Sequence, residues 1–286
     1  MLLQSLYGPR TLIRSIGLSA RQVQDTSEIP PHRRTPGVFI THGARVTIPA
    51  GGFRIGLAGE PTLTIHLALN MCPIWCELAF EHLREARRYH EAARAAWLGT
   101  DDDVLGTALI SECKHGMQAV HSAATAVDAL YAALKNELAD ALLLPPAGGG
   151  GRRPARYRHV AEVIRRSFQV QPRKAVRIRS ALRELYRFRD WAAHPPQEAQ
   201  QPIRHPDLLF DTEWRFVAFG YTSARALVRL GLSVSAQAGA SRTPATPRLA
   251  EFCRGLNGLL APTIAGWAAA YPGDPPLVPI PGAGTA

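Results

Sequence analysis

Two thirds of the way along the chain stands Arg189-Asp190-Trp191-Ala192-Ala193-His194, followed at once by Pro195-Pro196. Histidine is the side chain best suited to moving a proton near neutral pH, and arginine offers a fixed fork of donors that fits a phosphate. A carboxylate beside them can orient either one. On an unbroken helix, five steps of about 100° would leave His194 about 140° around from Arg189. Proline pushes the preceding residue out of the α region, so His194 is expected where the helix unwinds, with its imidazole free to turn back. Ile178, Leu182, Leu185 and Ala192 form one apolar stripe, and Arg189 falls on it. An arginine on a packed face needs a carboxylate, a dimer interface or an anion to meet. Glu112 and Asp128, on an earlier helix, are the expected carboxylate partners.

The charge around this segment is as telling as its spacing. Between Gly151 and Asp190 there are thirteen Lys or Arg and only three acidic residues, which accounts for the whole net charge of +10. A field concentrated in one 40-residue stretch attracts polyanions, RNA or DNA first. Arg173, Lys174, Arg177, Arg179, Arg183 and Arg187 are the expected contacts to a nucleic-acid backbone. A merely solvated face in an arginine-rich protein is the plainer alternative.

The elements that must position these residues follow from the pattern of the remaining chain. With 46% hydrophobic and 20% charged residues, the composition is that of a globular protein. Short β-branched runs punctuated by Gly and Pro predict a small antiparallel meander, with strands confined to roughly residues 36–69. From Cys72 the spacing turns helical. It predicts one helix up to Gly99 and a long one from Val104 to about Leu144, with Gly116 as an interruption. A flexible Gly148–Gly151 connection, a short basic helix from Tyr157 to Phe168 and a helix from Pro172 to Ala193 come next. Asp211-Thr212-Glu213 is expected to cap a helix reaching Ser235, and Pro247 to Ala270 forms the last. Three parts result: residues 1–70 with the β segment, 71–271 helical, and 272–286 as an extended or mobile Pro/Gly tail.

Within residues 104–237, the Arg189-to-His194 segment resembles the Arg-x4–6-His motif of HEPN (higher eukaryotes and prokaryotes nucleotide-binding) domains. In that family the motif lies near the end of a late helix, after a long helix and a linker, and a polar residue often follows the arginine. Asp190 stands where asparagine is common. The resemblance implies a mainly α, HEPN-like bundle, here preceded by a small antiparallel β segment. A sheet embedded within residues 104–237 would sink that assignment. It further implies a metal-independent RNA endonuclease without cofactor, possessing two motifs that face each other across a homodimer. Toxin–antitoxin and defence systems use such enzymes, so an antitoxin or regulatory protein is an implied partner. In these terms His194 is the general base or acid, Arg189 stabilises the charge on the phosphorane, and Asp190 orients one of them. The alternative is a non-catalytic module of the same fold that binds a nucleotide, nucleic acid or protein.

Other chemistry has weaker footing. Cys72 and Cys76 are four apart, but Pro73 and Trp75 intervene and no second cysteine pair exists, so packing is expected rather than a metal site. His115 and His121 do not share a face. The glycine run lacks the Gly-Lys-Ser/Thr ending of a P-loop, and no Gly-x-Ser-x-Gly elbow is present. No helix-turn-helix is evident. No stretch of about 18 uncharged apolar residues occurs, so no membrane span is expected. Four cysteines are too few for a disulfide framework, and the opening residues carry no basic leader, which together predict a cytoplasmic protein.

Overall fold

The computed structural model describes residues 44–47, 53–55, 61–63, 66–99, 101–138, 155–195 and 200–277. The fold is mainly α with a small antiparallel β segment. Strands β1 (Ala44–Thr47) and β4 (His66–Leu69) pair antiparallel, with Ala44 opposite Leu69, and β2 (Phe53–Ile55) pairs with β3 (Pro61–Leu63). The expected meander is therefore corrected. A meander joins sequence neighbours throughout, whereas here the β2–β3 hairpin lies within the connection between β1 and its partner β4.

Helix α1 (Met71–Gly99) begins where the Asn70 side chain accepts the Cys72 N–H at 3.1 Å. Its buried face runs through Cys72, Cys76, Ala79, Leu83, Ala86, His90 and Ala93. After a two-residue link α2 (Asp102–Glu137) starts, capped by Asp101, whose carboxylate accepts the Val104 N–H at 3.0 Å. So short a link forces the two long helices into an antiparallel hairpin. α2 ends at Glu137 rather than near Leu144, with Leu138 extended as its C-cap. The glycine connection falls outside the described residues.

Gly116 does not interrupt α2. A Cβ placed there would lie 1.8 Å from the Phe219 carbonyl oxygen, so glycine is the residue that lets that backbone approach. The same contact explains a second difference. The single helix expected from Asp211 to Ser235 is broken into α5 (Trp214–Ala218) and α6 (Tyr221–Gly239) at Phe219–Gly220. Phe219 is wholly buried there, and Gly220 is the α6 N-cap.

Helices α3 (Arg156–Ser167), α4 (Pro172–Ala193) and α7 (Pro247–Ala270) follow the expected spans closely. Thr246 caps α7 by accepting the Leu249 N–H at 3.1 Å. One core gathers Leu83, Leu130, Leu134, Leu182, Leu185, Leu249, Leu256 and Trp267. Burying each such side chain contributes about 1.5–3 kcal/mol.

Two further expectations are corrected. A two-residue ladder joins β5 (Ile203–Arg204) to β6 (Asp211–Thr212), so strands are not confined to residues 36–69. The ladder lies within residues 104–237, but it closes the loop between α4 and α5 and three of its four residues are exposed, so it is not a sheet embedded in the helical core. The first part of the Pro/Gly tail is also fixed. Asp274 accepts from Arg225 Nη2 at 2.5 Å, Arg229 donates to the Pro275 carbonyl at 2.9 Å, and Leu277 is buried.

Candidate nucleic-acid interface

α4 starts with Pro172 in its first turn, where a missing N–H costs nothing, and buries Leu182, Leu185 and Tyr186. Arg189 lies on the same side, as the stripe requires, and is 23% exposed. Its Nη1 donates to Asp128 Oδ2 on α2 at 2.9 Å. Its Nη2 and Nε donate to Asp190 Oδ1 at 2.8 and 3.1 Å, and its guanidinium lies 4.5 Å from the centre of the Tyr186 ring. Of the two expected carboxylate partners, Asp128 is the one found. Glu112 is engaged elsewhere.

Asp128 gathers more than Arg189. Its Oδ1 accepts from the Tyr186 hydroxyl at 2.7 Å and from Arg156 Nε at 2.8 Å. One carboxylate thus ties α2 to α3 and α4. Burial, followed by the Asp128 charge, raises the Tyr186 phenol well above its ordinary range and keeps it a donor. Arg156 in turn covers the Tyr131 ring at 4.2 Å.

α4 ends at Ala193, and His194 follows as its C-cap with φ −137° and ψ 69°, outside the α region as Pro195 predicts. Its N–H still donates to the Asp190 carbonyl at 2.7 Å. The imidazole is exposed and has no hydrogen bond to Arg189 among the described residues. Arg189 and Asp190 are therefore joined, and His194 stands beyond them at the helix end. Above it, Trp191 packs edge-on against Trp214 at 5.4 Å, and Phe188 against Phe219 at 6.1 Å.

The outer face of α4 carries the remaining predicted residues. Arg173, Lys174, Arg177, Arg179, Arg183 and Arg187 are all exposed. Among the described residues no carboxylate pairs with Arg173, Arg177, Arg179 or Arg183. Arg187 pairs with Glu184 and lies 4.8 Å from the Trp191 ring centre. α3 differs: Glu162 accepts from Arg165 at 2.6 Å and from Arg166 at 2.8 Å, and these bonds hold its carboxyl down to about 2. The positive field reaches the neighbouring aromatic. The Tyr157 phenol is lowered by its bond from Arg158, with Arg183 and Arg179 adding to the effect.

A second polar cluster escaped the sequence reasoning. Glu112 is 2% exposed, and its Oε1 accepts from the Tyr221 N–H at 2.6 Å and meets His90 Nδ1 at 3.1 Å. It serves as a cap on α6 supplied from α2. The Glu112 bond raises the His90 imidazole above its ordinary value against the cost of burial. His205 is buried nearby and lowered by that burial; its Nδ1 accepts the Asp207 and Leu208 N–H groups. The only hint in the sequence was a glutamate among the small apolar residues of α2.

The cysteines pack, as expected. Cys72 and Cys76 are fully buried, with Cys72 Sγ 3.5 Å from Ser235 Oγ. Burial pushes the Cys113 and Cys253 thiols up to about 11, which leaves neither a ready nucleophile. Among the described residues no three His, Cys, Asp or Glu side chains converge as a metal site. No described helix is long and apolar enough to cross a membrane. Comparisons with protein-family models, curated proteins and solved structures returned no match.

Proposed function

We propose that this chain is an RNA-binding helical protein that cleaves its substrate at the end of α4, as the HEPN-like ribonucleases do. The observation that carries the proposal is the run of exposed arginines along α4, four of them without a carboxylate partner among the described residues, leading to Arg189 and the unwound His194. The arginines hold backbone phosphates without regard to sequence. At the helix end, His194 takes the 2′-hydroxyl proton, and the 2′-oxygen attacks the adjacent phosphorus. The 5′-oxygen leaves with a proton returned by an acid, and a cyclic phosphate remains. Arg189 stabilises the phosphorane, and Asp190 and Asp128 hold its guanidinium in place. In this scheme two copies present their motifs to each other, in the cytoplasm, and a toxin or defence enzyme of this kind is restrained by a regulatory partner.

The test is cleavage of a labelled single-stranded RNA by the parent and by Arg189→Ala and His194→Ala. Each substitution is expected to lower cleavage by about 10²–10⁴-fold while RNA binding by α4 persists. Parent protein that binds RNA but never yields a cyclic phosphate would overturn the catalytic part.

A second reading rests on a specific observation: Arg189 is already bonded to two carboxylates, as a structural arginine would be. In that case the same basic face serves a non-catalytic module. Binding without cleavage in the experiment above selects it.

A further inference from the structure

Away from the α4 site, the α1–α2 hairpin brings two imidazoles together. His82 Nδ1 and His115 Nδ1 lie 3.3 Å apart, with ring centroids separated by 5.5 Å. Both side chains are half-buried, open enough for a small ion to reach and fixed enough to hold their orientation. We propose that this pair chelates a divalent transition-metal ion of the zinc or copper class, clipping α1 to α2.

The geometry supports this in two ways. A tetrahedral ion bound by two imidazoles at about 2.0–2.1 Å spaces the two nitrogens about 3.4 Å apart, close to the distance found. At 3.3 Å the rings can also share one proton, one nitrogen donating and the other accepting, so the ion would replace that proton. The second support is preorganisation. The Tyr89 ring stacks on His115 at 5.5 Å and 13°, while Arg88 lies over Tyr89 at 4.7 Å and donates to its hydroxyl at 2.9 Å. The ring is thus held before any ion arrives.

Glu85 sits three residues after His82 and pairs with Arg88 at 2.8 Å, which neutralises that cation beside the two rings. With two protein nitrogens, the remaining positions fall to water, so the ion is exchangeable rather than structural.

Zinc alone, added at about 100 μM to the metal-stripped full chain, is expected to raise Tm, because a ligand that binds only the folded state stabilises it. His82→Gln and His115→Gln should each abolish the rise, and His121→Gln should keep it. Copper titrated into the parent should show nitrogen coupling from two imidazoles, reduced to one in either variant. No rise in the parent, or an equal rise in the variants, overturns the proposal. So does a copper spectrum without two imidazole nitrogens, which needs no variant to fold. The pair would then be an ordinary interhelical contact.

Discussion

Arg189 Nη1 reaches Asp128 Oδ2 at 2.9 Å across 61 residues of chain, and this bond fixes the rotation of α4 against α2. Asp128 also serves Tyr186 and Arg156, so its carboxylate is the common acceptor of three donors from two helices.

Asp128→Ala should therefore cost more than an ordinary surface substitution, by about 1–3 kcal/mol, since Tyr186 and Arg189 lose their acceptor in a half-buried place. Asp128→Asn, which keeps an acceptor oxygen, should lose less. Urea midpoints of the two variants check the order.

Reversing Arg177 and Arg183 to Glu should weaken binding to unrelated RNAs alike. The dependence of log K on log salt should flatten by about one unit for each phosphate left without its arginine. Titrations at several salt concentrations measure it, and unchanged affinity would reduce the α4 face to a solvated surface.

His90 makes stability depend on pH. Its imidazole is raised by the Glu112 bond and by the charges of Glu112 and Asp207, with burial and Arg94 opposing. A group raised in the folded state contributes stability fully below its ordinary pKa of about 6.5, and that contribution fades as pH rises through the folded value. The advantage of the parent over His90→Asn should thus be greatest near pH 5.5–6 and shrink toward pH 8.5. Urea unfolding of both proteins across this range is the measurement.

Gly116→Ala should be severely destabilising although alanine favours helices. The added methyl would meet the Phe219 carbonyl at 1.8 Å, and backbone on both sides would have to separate. Gly106→Ala on the same helix, where a Cβ meets nothing within 4 Å, should be neutral or stabilising. Thermal unfolding of the pair separates packing from propensity.

The helices were legible because their signals are local. Pro172, Pro195 and the Leu182–Leu185 stripe define α4 within a single segment, and Pro247 marks the start of α7. Asp128 was within reach for a related reason: an arginine on a packed stripe demands a carboxylate, and few lie on the facing helix. The break at Phe219–Gly220 was hidden, because it depends on Gly116 and Glu112, which lie about a hundred residues earlier. The β1–β4 pairing was likewise concealed, since strand spacing does not say which strand meets which. His194 lies between these cases. Its backbone followed from Pro195, while the direction of its side chain depends on surroundings that no spacing encodes.

The small residues along α2 give the order of synthesis a meaning. α1 and α2 can zip together as soon as Glu137 leaves the ribosome, because only Thr100 and Asp101 separate them. The Ala123 backbone, so near Gly231 that a Cβ added there would meet the Ala123 carbonyl oxygen at 3.0 Å, then waits for α6, nearly a hundred residues later. Until that arrival the nascent hairpin presents a smooth, uncharged strip to the crowded exit port. A chain cut before Tyr221 would carry that strip permanently, making it a natural substrate for chaperones and proteases.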